Sequence, residues 1–211
     1  MSRDAILQHV RTALGRAAGE ATPPPPPVRI RIPETTAEAR IASMLARVAA
    51  LAGEAVRVDT PAAARAWVAA AIEGKQAVAS NAPFLAECGI PDLAGVRCGL
   101  TAESELRQLC AVTDVGITSA DYALADTGTL VMLSSPREAR LISLLPPAHI
   151  AVVPSGRILS GLDELFATLP RPADGTSSMV LITGPSRTAD IEQILVRGVH
   201  GPGKLAVVVV G

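Results

Sequence analysis

The sequence predicts an α/β fold: a mostly parallel β-sheet flanked by helices. Three observations point to it. Short apolar runs alternate along the chain with segments whose apolar residues recur at helical spacing, the pattern of successive β-α units. Residues 207–210 are four valines, apolar on both sides as a strand buried inside a parallel sheet must be. Hydrophobic residues make up 49% of the chain and aromatics only 2%. The core must therefore be Ala, Val, Leu and Ile, small enough for helices to lie close on a sheet.

The elements follow in order. Ser2 can cap a first helix with Leu7, Val10 and Leu14 on one face. Thr22 and five prolines come next, a stretch that excludes helix and favours extended polyproline II. Residues 1–27 thus read as a helical arm and a proline-rich spacer, and residues 28–211 as one α/β domain. Thr35 and Glu38 have capping-box spacing and open a second helix carrying Ile41, Leu45, Val48 and Ala52, ended by Gly53. Residues 56–58 read as a strand. Thr60 and Pro61 open a helix with Ala64, Trp67, Val68, Ala71 and Ile72 inward. Residues 77–79 form the next strand, 83–87 a short helix, and 96–98 a strand. Thr101 starts a helix with Leu106, Leu109 and Cys110 inward. Strands are expected at 115–118, 129–133, 150–153, 179–183 and 205–210. The intervening helices are expected at 137–145, 162–169 and 187–196. No internal repeat is present.

Composition excludes several classes of function. Net charge is −1, like charges do not cluster, and aromatic residues for base stacking are scarce, which argues against nucleic-acid binding. Cys88, Cys98 and Cys110 form no C-x-x-C pair and have no His at metal-ligand spacing. They read as reduced structural thiols in a cytoplasmic protein, with no metal site. No apolar run approaches the roughly 20 residues that span a bilayer, and the N-terminus does not resemble a signal peptide.

Two segments have the composition and position for chemistry, because ligands bind outside the carboxyl ends of strands in open α/β sheets. The first is 183–190, where Gly184 permits close approach and Ser186 and Thr188 offer hydroxyls. Arg187 offers a forked cation for a carboxylate or phosphate, and the expected helix start offers free N–H groups. The bland alternative makes Ser186 an N-cap, Asp190 a helix-dipole partner and Arg187 a solvated side chain. The second segment is 126–129, with Gly128 between Thr127 and Thr129, and Asp126 as a candidate base. A tight turn bonding its own backbone explains it equally well. His200, in a glycine-rich loop, is a second candidate for proton transfer. Tyr122, Arg140 and His149 are weaker candidates. No Walker or G-x-G-x-x-G motif is present.

These segments also carry a resemblance. Residues 116–121 (GITSAD), 125–130 (ADTGTL), 144–149 (LLPPAH), 184–192 (GPSRTADIE) and 198–202 (GVHGP) stand in an order that resembles the LUD-domain family of lactate-utilisation proteins, in its single-domain, LutC-like branch. The N-terminal half resembles the family mainly in layout. The resemblance implies a fold similar to the sugar-phosphate isomerase and CoA-transferase superfamily. It implies an accessory component of a bacterial system that oxidises L-lactate to pyruvate, with LutA- and LutB-like iron–sulfur subunits as partners. No cofactor is then expected on this chain, and the clusters are expected on those partners. It assigns no catalytic residue. Combined with the residues themselves, the expectation is a small-anion site for a carboxylate or phosphate. Asp126 and His200 would move protons there, and Thr127, Gly128, Thr129, Gly184, Ser186, Arg187, Thr188 and Asp190 would bind. The rival readings are a stand-alone enzyme on a phosphorylated or CoA-linked metabolite, and a non-catalytic interaction module.

Overall fold

A computed structural model describes residues 2–17, 19–21, 30–188 and 196–211. The helix α1 (Arg3–Ala13) is capped by Ser2 and buries none of its residues. The polyproline expectation for residues 22–27 lies outside the described residues. Helix α2 (Ala37–Ala50) starts at Thr36, whose hydroxyl accepts from the Ala39 N–H, so Thr36 rather than Thr35 is the cap. Its buried stripe is Ile41, Met44 and Val48.

Strand β1 (Glu54–Val58) leads to α3 (Pro61–Ala71), capped by Thr60 with Pro61 in its first turn. Then come β2 (Ala77–Ala79), α4 (Pro83–Glu87), β3 (Val96–Arg97), α5 (Glu103–Val112) and β4 (Val115–Ser119). The hairpin β5 (Tyr122–Leu124) and β6 (Thr129–Leu133) follows, then β7 (Ala148–Pro154), β8 (Ile158–Leu159) and α6 (Leu162–Thr168). The chain closes with β9 (Met179–Ile182), β10 (Arg187–Thr188), β11 (Val196–Arg197) and β12 (Lys204–Val210).

Six strands form the main sheet in the order β1-β12-β7-β4-β2-β3, and every pair in it is parallel. One face packs on α3 and α4 through Val68, Leu85, Ile117, Val152 and Val208. The other meets α2 and a second sheet through Met44, Leu130, Ala151 and Val207. Helix α5 covers the remainder of that face, with Leu106 and Cys110 against Val78 and Ile142. The valines of β12 therefore point into cores on both sides, which is why that strand is apolar at every inner position.

Three expectations need correction. The strands at 129–133 and 179–182 do not join the main sheet. They pair antiparallel in a smaller sheet ordered β8-β5-β6-β9, whose short members β5 and β8 the sequence pattern did not reveal. The helix expected at 137–145 is a single 3-10 turn, Arg140–Ser143. Residues 135–138 are used in a tight turn, with the Ser135 hydroxyl accepting from the Glu138 N–H at 3.1 Å. Between that turn and Pro146 the Leu144 and Leu145 N–H groups both donate to the Leu141 carbonyl, which closes the turn there. The helix expected at 187–196 does not start at Arg187, because β10 and β11 pair antiparallel across its two ends. The Ser186 N–H donates to the Pro202 carbonyl and the Gly198 N–H to the Ser186 carbonyl, so this segment bonds to the 198–202 loop instead of to itself. Residues 189–195, including Asp190, lie outside the described residues.

Candidate functional site

The order of the main sheet locates a natural crevice. From β2 the chain moves outward to β3 at one edge, whereas from β4 it moves through β7 toward the opposite edge. The adjacent strands β2 and β4 are thus the topological switch point, where the connections leaving their carboxyl ends run in opposite directions along the sheet. A crevice of about 590 Å³ lies there, a size suited to a small metabolite. Its walls come from the start of α4, the loop after β4, the loop after β6 and the end of β7.

Charged groups from each wall meet in this crevice. Asp121, just beyond β4, is held by the Leu133 N–H, which donates to its Oδ2 at 2.7 Å. Burial raises the Asp121 pKa, while the bond from Leu133 and the Arg157 charge lower it less. The Arg157 guanidinium lies 5.4 Å from the centre of the Tyr122 ring, a cation–π contact that steadies it at the rim. Arg137 lines the same space, and its carbonyl accepts from the Asn81 N–H at 2.8 Å, pinning the loop to the end of β2. Glu138 is buried at 7% exposure. The Ser80 hydroxyl donates to its Oε2 at 2.9 Å, and its Oε1 has no hydrogen-bond partner among the described residues. Burial pushes the Glu138 carboxyl up to about 8, the bond from Ser80 opposes this, and the Asp121 charge adds to it.

The residues singled out from sequence are arranged elsewhere. Residues 125–128 turn the hairpin between β5 and β6, and the Gly128 N–H donates to the Leu124 carbonyl at 2.9 Å. Asp126 is exposed and lies against Gly161 at the start of α6. The Thr127, Thr129 and Thr183 hydroxyls form a chain with 2.8 Å links. The two segments are therefore neighbours, as antiparallel β6 and β9 require. Gly184, Ser186, Arg187 and His200 border a second cavity of about 320 Å³, which Asp126–Thr129 do not line. It sits at the amino ends of β7 and β12, away from the switch point, and His149 faces it. His149 is buried, bonds Thr118 through Nε2 at 2.8 Å, and is held down to about 4 by burial. Thr188 lies on β10.

Two of these residues have a structural explanation. A side chain at Gly184 would press on Leu51, so its close approach is to α2 rather than to a ligand. The Arg187 guanidinium donates to the Leu51 carbonyl and so closes the C-terminus of α2. Ser80, Asp121, Arg137, Glu138 and Arg157 stand outside the site residues expected from sequence. Asp121 is legible in sequence, because it stands three residues beyond the strand expected at 115–118, where the strand-end rule looks for ligands. Glu138 was hidden by the expected helix at 137–145. Among the described residues, no three His, Cys, Asp or Glu side chains cluster as a metal site, and no helix is long and apolar enough to cross a membrane.

A parallel α/β sheet with a polar crevice at its switch point defines a broad class of ligand-binding folds. Within it the chain belongs to the LUD domain family, whose model matches residues 41–210. Lactate utilization protein C of Bacillus licheniformis is 41% identical over 113 residues, covering 52% of this chain and 47% of that protein. The protein of the same name from Bacillus subtilis is 42% identical over 101 residues, covering 46% of this chain and 42% of that one. The chain thus matches these relatives over about half of their length. A crystal structure of a DUF162 family protein from Deinococcus radiodurans superposes with a TM-score of 0.63 at 21% identity, over 84% of this chain and all of that one, and shares the fold.

Proposed function

We propose that this chain serves lactate utilisation as an accessory component of an L-lactate-oxidising system and binds a small carboxylate in the switch-point crevice. The relatives' shared name supports the pathway. The observation that supports the site is the convergence of Arg137 and Arg157 with the acids Asp121 and Glu138 on one cleft. A guanidinium grips a carboxylate through paired N–H donors, and acidic side chains at the same place can hold or move a proton. Oxidation of lactate to pyruvate releases two electrons and two protons. In this reading the electrons pass to iron–sulfur clusters on LutA- and LutB-like partner subunits.

Calorimetric titration of pyruvate and L-lactate tests the site. Arg157→Ala is expected to weaken binding about tenfold or more, the loss typical of a charge-assisted contact. Equal affinity in the two proteins would remove Arg157. A second reading places the anion in the cavity bordered by Ser186, Arg187 and His200, with His200 as the proton carrier and Asp126 outside the site. It is favoured by His149, whose buried Nδ1 has no hydrogen-bond partner among the described residues. Arg187→Ala separates the two, since the crevice reading expects unchanged affinity. Lactate-dependent dye reduction appearing only after addition of the partner subunits would support the accessory role.

A further inference from the structure

Resting on the crevice reading, we infer that Glu138 is its selectivity residue: its carboxyl donates a hydrogen bond to the 2-oxygen of a 2-oxo or 2-hydroxy acid whose carboxylate lies against Arg157.

The geometry begins with the two Glu138 oxygens. Oε2 is committed as an acceptor from the Ser80 hydroxyl at 2.9 Å. Oε1 is buried, without a hydrogen-bond partner among the described residues, on a side chain that lines the crevice. A buried polar atom left unpaired is costly, and on a side chain that lines a ligand-sized cleft it is the group a ligand satisfies once the carboxyl turns toward it. A neutral carboxyl has one O–H and an ionised one has none. With Oε2 accepting from Ser80, the proton resides on Oε1, and that oxygen seeks an acceptor.

The surroundings keep the proton in place. Glu87 reaches the crevice from α4, Asp121 from the loop after β4, Tyr122 from the start of β5, Arg137 from Glu138's own loop, and Arg157 from beyond β7. Burial disfavours the charged form, and Asp121 adds like charge, so the carboxyl is held up to about 8. The arginines at 137 and 157 are exposed at the rim, while Glu138 is buried. An anion therefore meets cations on entry and a neutral donor deeper in. A carboxylate with an acceptor oxygen on the adjoining carbon matches that order. An acid of the same length without that oxygen would leave the Glu138 O–H unpaired, the situation in which hydrogen-bonding sites discriminate most strongly.

Two measurements test this on the full chain. The first is carbon NMR of protein labelled at the glutamate carboxyls, with Glu138→Gln identifying the signal. A Glu138 titration near pH 8 is expected, and titration in the ordinary carboxylate range would overturn the inference. The second is calorimetry with pyruvate and propionate on wild type, Glu138→Gln and Glu138→Leu, each verified as folded by circular dichroism. At about pH 6 wild type is expected to prefer pyruvate by about tenfold or more, and to lose that preference once Glu138 ionises above about pH 8. Glu138→Gln retains an N–H donor and should keep the preference across this range, whereas Glu138→Leu should show none. Equal binding of the two acids by wild type, with Arg157 still required, would overturn the inference alone. Failure of both acids to bind at any pH would overturn the crevice reading with it.

Discussion

At the scale of the residue, Gly128 shows how one position can meet two structural demands at once. Its φ is 70°, and an added Cβ would stand 2.8 Å from the Arg47 Cβ and 2.9 Å from the Val48 nitrogen. The hairpin turn and the approach of α2 each require glycine there. Gly128→Ala is expected to lower stability by about 1–3 kcal/mol, measured by urea unfolding. A change below about 0.5 kcal/mol would show that α2 yields easily. The turn was legible in sequence, since Asp, Thr and Gly between apolar runs signal one. The helix lying on it was not, because contact between residues far apart in the chain leaves no local pattern. Arg187 makes the same point: a forked cation at an expected helix start suggests an anion, and its partner is the Leu51 carbonyl.

At the scale of the element, helical periodicity and caps did most of the predictive work. α3 and α4 begin at the prolines that the sequence marked, and β2 occupies the expected residues. Failures came where apolar spacing persisted but backbone hydrogen bonds went elsewhere, as at 137–145. The arm is the clearest case of an element outside the core. α1 buries no residue, and Ile6, Val10 and Leu14 are each about half exposed or more. Deleting residues 1–21 is therefore expected to leave the melting temperature within about 2 °C of the full chain, measured by calorimetric scanning. A drop of more than about 5 °C would mean that the arm contributes to the folded body.

At the scale of the whole molecule, two buried titratable groups oppose each other. The Glu138 carboxyl ordinarily ionises near 4.5 but keeps its proton to about 8 in the fold, so its contribution to stability falls as pH rises between those values. His149 ordinarily charges near 6.5 but stays neutral down to about 4, so its contribution falls as pH drops between those values. Over the overlap from 4.5 to 6.5 the two slopes cancel. Above it Glu138 alone acts, at about 1.4 kcal/mol per pH unit. Glu138→Gln is expected to flatten urea-unfolding stability between pH 6.5 and 8 and to uncover the His149 decline as pH falls from 6.5 to 4.5. A decline of wild-type steepness in the variant would contradict this. The parallel sheet was legible as an architecture, but its strand order was not. The crevice depends on that order, so its acids and arginines, scattered from Ser80 to Arg157, could not be joined by inspection of the sequence.

One feature of that order bears on how the molecule assembles. β1 lies at one edge of the sheet and finds its neighbour only in β12, with Glu54 opposite Ala206, and β12 also supplies the second neighbour of β7. The sheet is a row with an interior place reserved for a latecomer. Loop closure over so much intervening chain is slow, which favours gradual over rapid maturation. Without β12, β1 and β7 would each present a row of unbonded amides and carbonyls. A chain lacking residues 204–210 would carry that gap permanently, as a template for pairing with other copies.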